Sequence, residues 1–221
     1  MTKFAIIVAG GSGTRMNSAV PKQFLLLKDK PVLCHSIQRF LDSYQDMQVI
    51  LVLPEQHLET GRTMMDLFFP GKDIRLTTGG ATRFDSVKNG LALVSGDAVV
   101  FVHDGVRCLV STSLIHRCYE SAVEFGSAIP VVPAKDSIRL VTADGNVPLE
   151  RNMVKLVQTP QVFLSRILLP AFSVAYEERF TDEATVVEAS GLAVHLVEGD
   201  ERNIKITTPA DLETALGLLD S

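Results

Sequence analysis

Short, almost continuously apolar runs recur along this chain and alternate with longer segments of helical periodicity. The runs have the length of strands and lack polar alternation, and they cover residues 4–9, 49–53, 98–103, 127–132 and 192–198. Strands of this kind are typically covered on both faces. The helical segments cover residues 32–43, 57–69, 83–94, 112–124 and 165–178. This alternation predicts an α/β fold with a doubly wound, mostly parallel sheet and helices on both faces.

The length of the chain and its final helix fit one domain. The 221 residues are 46% hydrophobic, which is enough for a sizeable core, and no internal repeat or low-complexity linker interrupts them. The final stretch, TPADLETALGLLDS, predicts a helix with Thr208 as N-cap and Pro209 at its first position. We therefore treat residues 1–221 as a single domain.

One region departs from the alternation of strands and helices. Residues 136–163 alternate apolar and polar side chains around an Ala-Asp-Gly-Asn turn, which predicts a β-hairpin turning at Asp144 and Gly145. Such a hairpin is either an ordinary surface feature or an arm that packs on a partner subunit.

Charge and cysteine content exclude several classes of function. The net charge of −5 argues against nucleic-acid binding and polybasic membrane binding, so a phosphate ligand needs a local cluster of cations. Cys34, Cys108 and Cys118 lack CxxC spacing, which favours reduced thiols over a disulfide framework or zinc site. No signal-peptide pattern is present, and no apolar stretch approaches the roughly 20 residues that span a bilayer. We expect a cytoplasmic protein.

A glycine-rich loop follows the first apolar run, in the stretch AIIVAGGSGTRMNSAVPKQF. Gly11 and Gly13 begin a dinucleotide fingerprint, but its third glycine position holds Met16. No Gly-Lys-Ser/Thr follows, so the Walker A pattern fails too. Both motifs also open a long helix, which Pro21 interrupts. A dinucleotide-dependent oxidoreductase is thereby excluded.

The loop is suited to an anion. Its backbone N–H groups can form a phosphate-binding nest, and it carries Arg15, with Lys22 seven residues later. Arginine grips phosphate bidentately and lysine acts as a mobile charge, so the two can face a triphosphate. The alternative is a structural turn with two solvated basic residues.

The stretch AGGSGTRM followed by PKQF resembles the signature of the nucleotidyltransferases that make nucleotide-activated sugars and polyols. More narrowly, the chain resembles the 2-C-methyl-D-erythritol 4-phosphate cytidylyltransferase family. Further motifs carry the likeness in the family order: GGATRFDSV, VHDGVR, RN at 151–152, QTPQVF, TDEAT and NIKITTPADL. The resemblance implies a Rossmann-like nucleotidyltransferase fold with a protruding β-hairpin arm.

The segment GGATRFDSV is the candidate base-binding segment. Backbone at Gly80 and Ala81 can read a flat base edge, Ser86 can hydrogen-bond the base, and Arg83 adds charge. The alternative is a helix cap, with Asp85 or Ser86 near the first turn. The resemblance implies a nucleotide-binding set that also includes loop backbone: Ala9, Gly10, Gly11, Gly13, Gly80, Ala81, Arg83 and Ser86.

Asp104 follows the run AVVFVH at the carboxyl end of a predicted strand, where ligands of open α/β sheets bind. A carboxylate there can hold magnesium or a substrate hydroxyl. The resemblance assigns Asp104 and Arg107 to the polyol phosphate, with Mg²⁺ held mainly by the CTP phosphates. We interpret His103 as a filler or sheet-edge donor. Cys108 and Gly105 replace the proline and alanine that are common in the family, and we do not assign Cys108 as a nucleophile.

On the arm, the resemblance implies that residues 136–158 form a β-arm insertion that crosses a homodimer. Ser137 and Arg151 would then bind substrate phosphate in the neighbouring site, and Thr159, near the return of the arm, would be a further substrate-binding residue. Taken by itself, Lys205 would be interpreted as a surface lysine. The resemblance implies that it is a further cation directed at the triphosphate. Asp182 and Glu183 of TDEAT can cap a helix.

The predicted reaction joins CTP to the polyol phosphate and releases pyrophosphate. The attacking phosphate monoester is largely a dianion at neutral pH, because its second pKa is about 6, so no general base is needed. The predicted catalytic residues are Arg15, Lys22, Lys205 and Arg151, which supply positive charge and alignment. The alternatives are a ribitol-5-phosphate cytidylyltransferase and, in another class, a non-catalytic nucleotide-binding regulatory module.

Overall fold

The computed structural model describes residues 1–11, 16 and 20–219. In chain order its strands are β1 (Thr2–Val8), β2 (Leu26–Leu27), β3 (Lys30–Pro31), β4 (Met47–Leu53), β5 (Ile74–Thr78), β6 (Ala98–Asp104), β7 (Ser127–Pro133), β8 (Ile138–Thr142), β9 (Gly145–Leu149), β10 (Lys155–Val157), β11 (Gln161–Leu164) and β12 (Leu196–Glu198). The helices are α1 (Val32–Ser43), α2 (Leu58–Phe68), α3 (Arg83–Leu91), α4 (Thr112–Phe125), α5 (Ser165–Ala171), α6 (Glu183–Ala189) and α7 (Pro209–Leu219).

The central sheet confirms the α/β prediction. Within the described ranges its strand order is β10-β7-β11-β6-β1-β4-β5, and β12 pairs with β7. Strand β1 is parallel to β4 and β6, and β4 is parallel to β5. Strand β11 is antiparallel to both β6 and β7, so β7 runs in the same direction as β6. The sheet is therefore mostly parallel, with β10 and β11 reversed.

Apolar side chains cover both faces of this sheet. Along β1, Ala5 and Ile7 pack into a core cluster formed with α1, α2 and α4, whereas Phe4 and Ile6 pack into a second cluster formed with α3, α5 and α6. Successive residues of a strand point to opposite faces, so a strand buried on both sides must be apolar throughout. This explains why the strands appear in the sequence as continuous apolar runs.

The loops that follow the parallel strands begin side by side at one edge of the sheet. The Ala9 N–H donates to the Val52 carbonyl oxygen at 3.0 Å, and the Gly105 N–H donates to that of Val8 at 2.9 Å. The Gly79 N–H donates to the Leu53 carbonyl oxygen at 2.8 Å. These bonds extend the sheet past the strand ends and bring three loops of the predicted site together.

The hairpin is present, but it is shorter than the stretch that predicted it. Strands β8 and β9 pair antiparallel and close at Thr142 opposite Gly145, whose φ of +137° favours glycine. Residues 161–163, which we assigned to the same hairpin, instead belong to β11 (Gln161–Leu164) inside the main sheet. The stretch that we assigned to the hairpin extended past the return of the chain from the arm, so it did not mark where the hairpin ends.

Two further boundaries were wrong. The predicted strand 192–198 is limited to β12, because the preceding His195 N–H bonds the Ser127 hydroxyl instead of a ladder carbonyl. The predicted helix 165–178 ends with α5, which contains Pro170, a residue without an N–H for the helical ladder. Helix α7 begins at Pro209 as predicted, and its Asp211 N–H donates to the Thr208 hydroxyl at 3.4 Å.

Among the described residues, none of the helices combines the length and apolar character needed to cross a membrane.

Candidate active site

A cavity of about 750 Å³ lies at the carboxyl edge of the parallel strands. We call it the carboxyl-edge cavity. Its size is within the range usual for small-molecule sites. It brings together the following residues of the predicted site: Ala9, Gly10, Gly11, Lys22, Gly80, Ala81, Arg83, Ser86, Asp104 and Lys205. The cavity is also lined by residues that were not predicted to belong to the site, among them Gln23, Glu55, His57 and Thr207.

Lys22 is placed in the cavity by a short 3₁₀ turn, Lys22–Phe24, that follows Pro21. Its Nζ donates to the Ile206 carbonyl oxygen at 2.9 Å, directly beside Lys205. The Ile206 N–H in turn donates to the carbonyl oxygen of Val106 at 3.0 Å. The segment that carries Lys205 is therefore fixed to the loop after β6, and Lys22 is fixed to that segment.

Gln23 is a site residue that the sequence analysis missed. Its side chain is buried, and its Nε2 donates to the Ala9 carbonyl oxygen at 2.9 Å. This bond holds the start of the glycine loop against the turn that carries Lys22. The only signal in the sequence was its position beside Lys22 in PKQF.

Asp104 ends β6 and is surrounded by cations. Its Oδ2 lies 2.8 Å from Lys205 Nζ and 3.9 Å from Arg107 Nε, and its Oδ1 lies 3.3 Å from Arg83 Nε. Burial alone would raise the pKa of the Asp104 carboxyl, but the charges of Arg83 and Lys205 outweigh burial and hold that pKa well below its usual range. Asp104 is therefore an anion throughout the neutral pH range.

Arg83 begins α3 and joins Asp104 to a buried carboxylate from a distant part of the chain. Its NH2 donates to Glu183 Oε2 at 3.1 Å, and its NH1 donates to Glu183 Oε1. Burial alone would lower the pKa of the Arg83 guanidinium, but the Glu183 and Asp104 carboxylates raise it. The nucleotide-binding role that we predicted for Arg83 stays a prediction, since its guanidinium faces these two carboxylates in the structure.

The loop before α3 combines a helix cap with the cavity wall. Thr82 is the N-cap: its hydroxyl accepts from the Asp85 N–H at 3.1 Å, and Asp85 accepts from the Thr82 N–H at 3.1 Å. The Ser86 hydroxyl accepts from the Gly80 N–H at 3.1 Å and donates to the Thr82 carbonyl oxygen at 2.9 Å. The helix-cap interpretation of this segment is thus confirmed as its local structure, with Thr82 as the capping residue.

Glycine is required at position 80 by lack of space. A Cβ at Gly80 would lie 2.2 Å from the Asp85 Cβ, closer than any side chain can approach. The capping box and the open backbone beside the cavity therefore depend on the same glycine.

Behind Asp104, His103 and Thr159 form a buried hydrogen-bond relay. His103 Nε2 lies 3.1 Å from the Arg107 carbonyl oxygen, an acceptor, so Nε2 carries the proton. Nδ1 then accepts from the Thr159 hydroxyl at 3.1 Å, and that hydroxyl accepts from the Asp104 N–H at 3.0 Å. His103 is a buried structural residue, as predicted, and burial lowers its pKa to about 4. Arg107 and Thr159 lie outside the lining of the carboxyl-edge cavity.

The comparisons with known proteins agree with this geometry. The family model for 2-C-methyl-D-erythritol 4-phosphate cytidylyltransferase, IspD, matches residues 3–221. The chain belongs to this family. It is 48% identical over 221 residues to the 2-C-methyl-D-erythritol 4-phosphate cytidylyltransferase of Bacteroides fragilis, with 99% of this chain and 100% of that protein covered.

Solved structures of the family share the fold. The 4-diphosphocytidyl-2C-methyl-D-erythritol synthase of Anaerococcus prevotii superposes with a TM-score of 0.85 at 25% identity, covering 99% of this chain and 96% of that chain. The bifunctional IspDF of Campylobacter jejuni superposes with a TM-score of 0.82 at 29% identity. That alignment covers 96% of this chain but 54% of the longer bifunctional chain. As a member of the IspD family, this chain is a cytidylyltransferase.

The arm residues that the resemblance to IspD predicted are not in the carboxyl-edge cavity. Ser137 and Arg151 line a separate cavity of about 490 Å³ on the hairpin, together with Arg139 and Asn152. Arg151 NH1 donates to the Lys135 carbonyl oxygen at 2.9 Å. Within one chain, Arg151 and Ser137 therefore form a group distinct from Lys22 and Asp104.

Two residues predicted for the IspD site, Gly13 and Arg15, lie outside the described residues. Cys108, one of the departures from the family pattern, is described and buried. Burial raises the pKa of its thiol to about 12, so the thiol is protonated at neutral pH. This agrees with our decision not to assign Cys108 as a nucleophile.

The described residues do not build a metal site of their own. They contain no group of three or more His, Cys, Asp or Glu side chains arranged to hold an ion. Asp104, the predicted magnesium ligand, already faces Lys205, Arg83 and Arg107. A cation at its carboxylate would have to displace these contacts, so the donor set does not fit a metal held by the protein itself.

Proposed function

We propose that this chain transfers the cytidylyl group of CTP to 2-C-methyl-D-erythritol 4-phosphate, giving the CDP-polyol and pyrophosphate, in the non-mevalonate route to isoprenoid precursors. The observation that carries the proposal is the carboxyl-edge cavity, which brings Lys22 and Lys205 together with the backbone of Gly10, Gly11 and Gly80. The two cations suit a triphosphate, and open glycine backbone suits a flat base.

The chemistry needs charge and alignment more than a base. The attacking polyol phosphate is already largely a dianion near pH 7, since its second pKa is about 6. The site residues fit this requirement, because His103 is buried in its relay and Asp104 is held as an anion by its neighbours. The main barrier is the approach of one anion to another, which fixed cations lower.

We assign Lys22 to the α-phosphate of CTP, where it stabilises the charge that grows during in-line attack. Lys205 supports the same phosphate, and it must exchange its contact with Asp104 for one with the nucleotide as CTP binds. Its partly exposed side chain is compatible with that exchange. Arg15 keeps its predicted role at the β- and γ-phosphates.

We assign the polyol to the region around Asp104, whose carboxylate accepts a hydrogen bond from a substrate hydroxyl. Arg107 and Thr159 were predicted to bind this substrate directly. Their observed contacts support a different role, because Thr159 holds the Asp104 backbone and Arg107 NH1 donates to the Asn203 carbonyl oxygen at 2.8 Å. We propose that both position the loop that presents Asp104.

We propose further that the arm, residues 136–158, crosses a homodimer and carries Ser137 and Arg151 into the partner's site. Two observations support this. Arg151 and Ser137 lie outside the carboxyl-edge cavity of their own chain. The arm exposes several large apolar side chains, with Val141 and Met153 each 79% exposed, and a patch of such side chains is typical of a protein interface.

Magnesium and the cellular compartment are also proposals. We expect Mg²⁺ to enter bound to the CTP phosphates, since the protein's own donor set does not fit a metal, and chelation of Mg²⁺ by EDTA should then abolish turnover. Cys34, Cys108 and Cys118 are free and buried, which supports a reducing, cytoplasmic environment.

The function is tested by measuring pyrophosphate release with each of the four nucleotides against two polyol phosphates. We expect release with CTP and 2-C-methyl-D-erythritol 4-phosphate. Comparable release with ribitol 5-phosphate would favour that alternative substrate. Nucleotide binding without release in any combination would favour the non-catalytic module.

A further inference from the structure

Glu183 is a buried carboxylate beside the site, and its own helix does not explain why it is buried. It is the first residue of α6 and only 1% exposed. The helix is capped by the preceding residue, because Asp182 Oδ1 accepts from the Thr185 N–H at 2.9 Å. Our expectation that this segment caps a helix is therefore met by Asp182, and the burial of Glu183 needs another explanation.

The start of α6 is fixed to the central sheet. Gln161 of β11 is buried; its Oε1 accepts from the Ala184 N–H at 2.9 Å, and its Nε2 donates to Asp182 Oδ2 at 2.9 Å. These bonds hold the residues on both sides of Glu183. Its carboxylate therefore has a set position relative to β6, which lies next to β11.

Among the described residues, Arg83 is the one that connects Glu183 to the carboxyl-edge cavity. Glu183 binds both terminal nitrogens of that guanidinium, while Arg83 Nε and NH2 each lie 3.3 Å from Asp104 Oδ1. Both terminal nitrogens of Arg83 thus bind Glu183, and the side of the guanidinium that carries Nε faces Asp104. The second oxygen of Asp104, Oδ2, is left to Lys205 at 2.8 Å.

Stability does not account for this arrangement. Removing two charges from water costs free energy that their attraction often fails to recover, so buried ion pairs are poor stabilisers compared with apolar side chains. Without the charge of Glu183, however, Asp104 would be the sole carboxylate left in contact with Arg83 among the described residues. The guanidinium fork would then turn to Asp104 and occupy Oδ2, the oxygen that contacts Lys205 in this structure.

We propose that Glu183 is a positioning residue for the transfer reaction. By binding both terminal nitrogens of Arg83, it keeps Asp104 oriented so that Oδ2 is available to the incoming polyol once Lys205 has moved to the nucleotide. The inference rests on the proposed function, since it assumes that Asp104 contacts the polyol. It predicts an effect on the polyol phosphate and little effect on CTP.

The test is Glu183→Gln, which keeps the shape of the side chain and removes its charge. We expect kcat/KM for 2-C-methyl-D-erythritol 4-phosphate to fall about tenfold or more, because small misplacements of aligned groups have large effects on rate. KM for CTP should stay within about twofold of the wild type. Glu188→Gln, on the exposed face of the same helix, is the matched control and should leave both parameters unchanged.

Combination with Asp104→Asn separates positioning from general damage to the fold. If Glu183 acts through Asp104, the Gln substitution should change kcat/KM by less than about twofold when Asp104 is already Asn. An undiminished loss in that background, or an equal rise in KM for CTP and for the polyol phosphate, would overturn the inference. A wild-type enzyme without turnover would instead refute the proposed function.

Arg83→Lys covers the case in which Glu183→Gln does not fold. The Arg83 side chain is 28% exposed, and lysine retains the charge but cannot bind both carboxylates as a fork. A loss in kcat/KM for the polyol phosphate is expected in this variant too, with a melting temperature close to that of the wild type. Unchanged kinetics in this variant would overturn the inference.

Discussion

Lowering the pH from 7 to 5 should destabilise this protein through His103. The imidazole is fully buried, and burial lowers its pKa from 6.5 to about 4, with Asp104 and Arg107 as its charged neighbours. The folded state therefore binds fewer protons than the unfolded state between these two values. Its contribution to stability is fully present above pH 6.5 and is lost as the pH falls toward 4.

The expected loss of stability follows from the size of the His103 pKa shift. Each pKa unit corresponds to about 1.4 kcal/mol, so the free energy of unfolding should drop by about 2 kcal/mol between pH 7 and pH 5. Protonation also breaks the relay, because Nδ1 accepts from the Thr159 hydroxyl. Asp104 does not contribute in this window, since its pKa is lowered and its effect lies at more acidic pH.

Urea denaturation at pH 7, 6 and 5 measures this loss. His103→Gln should be less stable than the wild type at pH 7 but should lose much less stability on acidification. His116→Gln is the control, because it removes a histidine that contacts the Ser43 carbonyl oxygen on another helix and leaves the relay intact. An equal loss in the wild type and in His103→Gln would refute the assignment.

Three other predictions concern catalysis, the arm and the cavity wall. Lys22→Ala should lower kcat about 10²–10³-fold, the cost typical of a lost transition-state contact, with a smaller change in CTP affinity. Steady-state kinetics and calorimetry check this, and an unchanged kcat would contradict the role of Lys22. Arg151→Ala should raise KM for the polyol phosphate, and mixed dimers of Arg151→Ala and Lys22→Ala subunits should regain one working site; no recovery would count against a crossing arm. Thr82→Ala removes the capping box and should lower the free energy of unfolding by about 1 kcal/mol, seen as a lower urea midpoint; an unshifted midpoint would contradict the importance of this cap.

The strands and helices that the sequence predicted well are those with a complete local pattern. Helix α1 has the predicted bounds, and β1, β4 and β6 lie within two residues of the predicted runs. Strand β11 was missed because its first three residues, 161–163, lie in the stretch that we assigned to the hairpin. Its place between β6 and β7 depends on tertiary pairing, which no local pattern records.

The site residues likewise divide into those that a local sequence pattern identified and those that depend on tertiary contacts. Lys22, Asp104 and Lys205 were identified from motifs and strand ends, and the structure gathers them in one cavity. Glu183 was interpreted only as part of a cap, because its partner Arg83 lies 100 residues away. A carboxylate at a helix start has two uses, and sequence spacing alone does not distinguish a cap from a buried ion pair.

The most direct test of the account is the fate of an isotope. In the proposed reaction, a phosphate oxygen of the polyol attacks the α-phosphorus of CTP. To test this, 2-C-methyl-D-erythritol 4-phosphate labelled with ¹⁸O on its phosphate should be incubated with CTP and the enzyme. Mass spectrometry and ³¹P NMR should find the label in the bridge of the CDP-polyol and none in pyrophosphate. An unlabelled bridge, or label in pyrophosphate, would contradict attack by the polyol phosphate on the α-phosphorus.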